Sequence, residues 1–166
     1  MINVSAVGMI NVSAVGMRCL ARVGLATLCA VGVMIGAGHS PAADALPNAC
    51  PVDGCSVKII GVTRSGDERQ LTLEANYSPD ISKNHIHVWW GDNFTVEQVS
   101  NNAETVHHVK QGEWHPTADY PSYITQSAAS MKVRGNSKTI CVSPADRNHN
   151  IIDVKVFQCV DISNRL

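Results

Sequence analysis

The chain has 166 residues, of which 45% are hydrophobic and 16% are charged, and its formal net charge is −1. This composition is typical of a globular protein and excludes a disordered or fibrous chain. Because the charges nearly balance, no long-range positive field would gather phosphates, and nucleic acid is not an expected partner.

The first 45 residues have the pattern of a secretory signal. The octapeptide MINVSAVG occurs twice, and from residue 17 onward two arginines precede an apolar run at residues 23–37. The sequence ADA at 43–45 then matches the small-x-small pattern of a signal-peptidase site. We expect a signal that functions from Met17 and is cleaved after Ala45, so that the protein is secreted or stays in the cell envelope and meets the membrane only through this segment. Residues 46–166 would then form a single domain.

Four cysteines follow the predicted signal, and an even number in an exported chain predicts two disulfide bonds. Spacing favours the pairs Cys50 with Cys55 and Cys141 with Cys159, while pairing of the first two with the last two remains open. The spacings include no Cys-x-x-Cys, which argues against a four-cysteine zinc site.

From residue 56 the chain alternates between strand and turn patterns. Residues 56–63 are rich in β-branched side chains, residues 70–77 alternate apolar with polar, and a turn at 64–67 joins them into a predicted hairpin. The segment HIHVWW at 85–90 predicts a third strand. Period two would place its side chains on two faces: Ile86, Val88 and Trp90 on one, and His85, His87 and Trp89 on the other.

The second half of the chain gives weaker signals before one clear hairpin. Thr95 and Gln98 match a capping box, which predicts one short helical turn. Short strands are expected at residues 106–110, 112–114 and 130–134, around a proline-containing stretch. Residues 138–143 and 151–160 predict the clearest hairpin, across a turn at 144–150.

Seven or so short strands with turn-rich connections predict an all-β protein, an antiparallel β-sandwich of immunoglobulin-like type with one short helical turn. In its Gly- and Ala-rich signal and its blocks HIHVWW and CVSPADRNHN, the chain also resembles the small exported proteins of unknown function found in actinobacteria. The resemblance implies export and this layout, and it implies no activity.

His85 and His87 are candidate metal ligands, because residues two apart on a strand project to the same face. Imidazole nitrogens suit copper or zinc. Candidates for further ligands are the histidines of the following segment: His107, His108 and His115. The alternative is an ordinary hydrogen-bonded sheet surface beside Trp89.

The segment DRNHN at 146–150 alternates oxygen side chains as a calcium loop does. An EF-hand loop needs glycine at its sixth position and glutamate at its twelfth, where this chain has Ile151 and Phe157. A long hairpin turn is the better interpretation, because Asp and Asn bond their own backbone amides.

The sequence contains no Gly-x-Ser-x-Gly, His-Glu-x-x-His or phosphate-binding glycine loop, so an enzyme is not expected. We expect a non-catalytic binding or structural module without a cofactor, which recognises an unknown protein or envelope component. The alternative is an exported metal-binding protein that uses copper or zinc. The candidates for partner contact are four aromatic residues: Trp89, Trp114, Tyr120 and Tyr123.

Overall fold

The computed structural model describes residues 46–165, and the predicted signal and its cleavage site lie outside them. Within these residues the protein is all-β, as predicted, with seven strands in two antiparallel sheets and only three short helical turns. The strands are β1 Val57–Ser65, β2 Glu68–Ala75, β3 His85–Trp90, β4 His115–Thr117, β5 Ser122–Ile124, β6 Thr139–Ala145 and β7 Gln158–Asp161. No helix in this part of the chain is long and apolar enough to cross a bilayer.

The first sheet has the order β1-β2-β5. The predicted hairpin of β1 and β2 is confirmed, and Gly66 supplies the positive φ of its tight turn. A register shift between Ile59 and Gly61 leaves Ile60 as an extra residue, which returns Val62 to the buried face.

The second sheet has the order β4-β3-β6-β7 and packs against the first to form a β-sandwich. Strand β3 occupies the predicted residues and lies between β4 and β6. Pro116 is accommodated because β4 is an edge strand. The core between the sheets is formed by residues of both, among them Val57, Leu71, Leu73, Tyr123, Ile86, Val88, Trp90, Ile140 and Val142.

The outer face of β3 is also covered, and this decides where the site lies. A second apolar cluster contains Trp89, Val96, Val99 and Cys141, because the chain after β3 folds back over the second sheet. All six residues of β3 are therefore buried, including both histidines.

Both disulfides have the pairing that spacing favoured, Cys50 with Cys55 and Cys141 with Cys159. The second joins directly opposed residues of β6 and β7. Two intramolecular disulfides indicate an oxidising, extracytoplasmic environment.

The middle of the chain differs from its prediction. Residues 106–110, 112–114 and 130–134 are not strands: a wide helical turn covers Ala103–His107, and the short strands lie later, at β4 and β5. The helical turn ends at His108, which has left-handed backbone. Short apolar runs in the sequence do not indicate such a turn. The Gln98 side chain accepts the Thr95 N–H as in a capping box, but the segment remains a turn.

The last hairpin is confirmed in its pairing and is shorter than predicted. Strands β6 and β7 pair antiparallel, while residues 152–157 leave the ladder after a single bridge between Ile151 and Ala145.

The adjacent residues Ile59 and Ile60 test the packing of the first sheet, because they are 5% and 60% exposed. Ile59→Ala removes buried methylene groups and should lower the free energy of unfolding by about 2–5 kcal/mol. Ile60→Ala should lower it by less than about 1 kcal/mol. Urea unfolding measures both, and equal losses would contradict the assigned faces of β1.

Candidate metal centre

Three histidines meet on the outer face of β3. His85 and His87 come from β3 itself, two residues apart, and His149 comes from the loop that follows β6. One ring nitrogen of each lies within 4.8 Å of the others. On the neighbouring strand, the small residues Ala145 and Ser143 stand opposite His85 and His87.

The loop that carries His149 is held by its own hydrogen bonds. The Asp146 carboxylate accepts the N–H groups of Asn148 and Asn150 at 2.8 and 3.0 Å, as expected of a hairpin turn. His149 has a φ of 61°, which turns the chain tightly. The Asn101 N–H donates to the His149 carbonyl at 2.8 Å and ties the loop to the segment that covers β3.

Two backbone carbonyls fix the tautomers of the strand histidines. His87 Nδ1 lies 2.8 Å from the Val99 carbonyl, and His85 Nδ1 lies 3.2 Å from the Lys83 carbonyl. A carbonyl oxygen can only accept, so each Nδ1 carries the proton. In both rings the Nε2 atom is therefore a bare lone pair that faces the cluster.

These two lone pairs share only one donor. His149 Nδ1 lies 2.9 Å from His85 Nε2, and because that Nε2 is an acceptor, His149 donates. His87 Nε2 has no hydrogen-bond partner and is the one such buried side-chain atom among the described residues. A buried acceptor without a partner costs about 1–3 kcal/mol. The cluster thus presents two acceptors and one donor, and a cation could bind to the acceptor that has no partner.

Burial keeps the strand histidines neutral. Desolvation lowers the pKa of His87 to about 3, and the same cause lowers the pKa of His85. A neutral imidazole is the form that binds metal, so no proton has to be removed from either ring near neutral pH.

The tryptophan Trp114 closes one side of the cluster. Its ring stacks on His87 with the centroids 5.0 Å apart and the planes 25° apart. His149 is the ligand with partial exposure, since His85 and His87 have none. An ion would therefore enter past His149.

The spacing of the nitrogens is slightly looser than a metal requires. Nitrogens bound to one tetrahedral zinc at about 2.0–2.1 Å lie roughly 3.3 Å apart. Closing the widest separation of 4.8 Å requires side-chain movements on the order of 1 Å. His149 is placed to make this adjustment because it is the exposed ligand on a loop.

The structure does not bring the other predicted histidines to this cluster. His115 pairs with Val88 on β3, so it points to the core face and stacks on Tyr123 at 5.7 Å. His107 ends the helical turn, and His108 is exposed in left-handed backbone. The third ligand is His149, which the sequence analysis assigned only to a turn.

The four aromatic residues proposed for partner contact do not form one surface. Trp89 is 1% exposed and Tyr123 is fully buried, because the covering segment and the second sheet enclose them. Trp114 is half-buried against the histidines, and Tyr120 is 37% exposed. The expectation that Trp89 and Tyr123 are exposed is therefore wrong.

The chain was compared with protein-family models, with curated proteins and with solved structures, and nothing matches.

The buried histidines make the metal-free protein sensitive to acid. His87 gains a proton near pH 6.5 when unfolded but only near pH 3 when folded, so the unfolded chain binds more protons between these values. Stability is then lost as the pH falls, by about 1.4 kcal/mol per pH unit for one such group. His87→Gln removes this titratable group and should flatten the slope.

Urea unfolding in the presence of EDTA, repeated between about pH 6 and pH 4, measures the two slopes. Slopes that run parallel in the wild type and in His87→Gln would contradict the burial of a neutral His87.

Proposed function

We propose that this chain is an exported metal-binding protein and that His85, His87 and His149 hold a copper or zinc ion. The observation that carries the proposal is the lone pair of His87 Nε2, buried and without a partner, beside a second lone pair on His85. A metal ion would bind both lone pairs at once, whereas in the metal-free arrangement His149 donates to His85 Nε2 and leaves His87 Nε2 without a partner.

The ligand chemistry supports copper or zinc over hard cations. The cluster offers three imidazole nitrogens and, among the described residues, no carboxylate within it. Calcium and magnesium prefer oxygen ligands, while imidazole suits copper and zinc. The carbonyls of Lys83 and Val99 supply the outer hydrogen bonds that usually orient metal-binding histidines.

Binding would also move a proton on the third ligand. His149 now donates from Nδ1, the same nitrogen that faces the cluster. To bind a metal through Nδ1, the ring must carry its proton on the other nitrogen instead. The metal-free and metal-bound states therefore differ in one histidine tautomer.

Export and an immunoglobulin-like layout are parts of the same proposal. The predicted signal and the two disulfides support a secreted or envelope location. The strand order supports the layout: the first, second and fifth strands share one sheet, and the third, sixth and seventh share the other. The fourth strand lies beside the third rather than in the first sheet.

An exported binding or structural module without metal is the weaker candidate. Of its four aromatic contact residues, Tyr120 alone is exposed. Such a module would leave the buried lone pair of His87 unexplained, and it predicts no response to added metal.

A matched pair of substitutions tests the proposal. His149 and His108 both have left-handed backbone, with φ of 61° and 57°, which asparagine also tolerates. The wild type and His108→Asn should bind one equivalent of zinc or copper and gain stability, by about 2.7 kcal/mol when free metal exceeds Kd 100-fold. His149→Asn lacks one imidazole and should lose most of this gain.

Elemental analysis of the purified protein and thermal unfolding with and without the ion give the two readouts. Equal stabilisation of both variants would exclude His149 as a ligand. Absence of any metal response in the wild type would reject the proposal in favour of the module.

A further inference from the structure

The three imidazoles of the cluster are common metal ligands, and none of them is negatively charged. The cluster's three inward nitrogens belong to imidazoles, and among the described residues no carboxylate or thiolate joins them. The acidic group whose charge acts on His85 is Asp146, and the N–H groups of Asn148 and Asn150 occupy one of its oxygens. A bound cation would therefore be offset only from outside the ligand set, by this one carboxylate.

The surroundings of that charge are poorly solvated. His85 and His87 are fully buried, and Trp114 and Val99 belong to the apolar cluster that covers this face. The cost of moving an ion out of water rises with the square of its charge. A dication in this position is penalised far more than a monocation with the same ligands.

The number of ligands also favours Cu(I). Cu(II) favours square-planar or tetragonal sites with at least four donors, and three imidazoles leave it in need of a further ligand. Cu(I), which has a filled d shell, is satisfied by three ligands. Three imidazoles without a negatively charged ligand, two of them fully buried, therefore fit Cu(I) in both charge and coordination number.

We infer that this site holds copper as Cu(I) in preference to Cu(II), an inference that rests on the proposed metal-binding function. The chemical reason is the absence of a negatively charged ligand among three imidazoles, two of which are fully buried. Adding a negatively charged ligand to the site should therefore weaken or reverse the preference for Cu(I).

His149 offers a position at which to supply it. The nitrogen of His149 that faces the cluster is Nδ1, and a carboxylate oxygen of aspartate stands about as far from the backbone as Nδ1 does. Aspartate also tolerates the left-handed backbone at this position. His149→Asp thus keeps a donor atom and adds a negative charge, while His149→Asn has a similar shape without the charge.

The test is to measure the Kd of Cu(I), by competition with bicinchoninate without oxygen, and the Kd of Cu(II), by competition in air, on the purified protein. The wild type should bind Cu(I) at least about tenfold more tightly, which places the bound couple about 59 mV or more above that of unbound copper. His149→Asp should lower this ratio about tenfold or more, and His149→Asn should weaken both ions with a smaller change in the ratio.

Two results would overturn the inference while leaving the metal site in place: a wild type that binds Cu(II) as tightly as Cu(I), or a ratio unchanged in His149→Asp. Failure of Cu(I), Cu(II) and Zn(II) to bind at all would instead reject the proposed function, and this inference with it.

Discussion

The hydrogen bond from His87 Nδ1 to the Val99 carbonyl determines the character of the site. Because that carbonyl can only accept, it forces the proton onto Nδ1 and turns the Nε2 lone pair inward, where no protein donor meets it. The His85 bond to Lys83 repeats the arrangement two residues earlier. His149 donates to the buried acceptor of His85, that of His87 has no partner, and a cation would bind both.

The fold maintains this arrangement by burying β3 on both faces. The first sheet packs on Ile86, Val88 and Trp90, and the segment after β3 covers the histidines and Trp89. The disulfide between Cys141 and Cys159 locks β6 to β7. The turn after β6 then brings His149 over its neighbours, since Ala145 stands directly opposite His85.

Local patterns were sufficient to predict β3, the first hairpin, the pairing of β6 with β7 and the favoured cysteine pairs, because each depends on alternation or on short spacing. The pair His85 and His87 could be found for the same reason. His149 could not, because it lies 64 residues from His85 and its approach depends on the register between β3 and β6. The one signal for this third ligand in the sequence was the histidine of the DRNHN turn. That histidine would lie beside the His-x-His strand if the hairpin packed next to the strand.

The burial of Trp89 and Tyr123 was likewise missed, since it requires the covering segment and the second sheet.

The most direct test of the account is to observe the histidine tautomers by two-bond 1H–15N correlation spectra of 15N-labelled protein, metal-free and with one equivalent of diamagnetic Zn(II). We predict Nδ1–H tautomers for His85 and His87 in both states. His149 should change from protonated Nδ1 to protonated Nε2 when the ion binds. An Nε2–H tautomer for His87, or a His149 that does not respond to zinc, would contradict the claim that these carbonyls prepare a metal site.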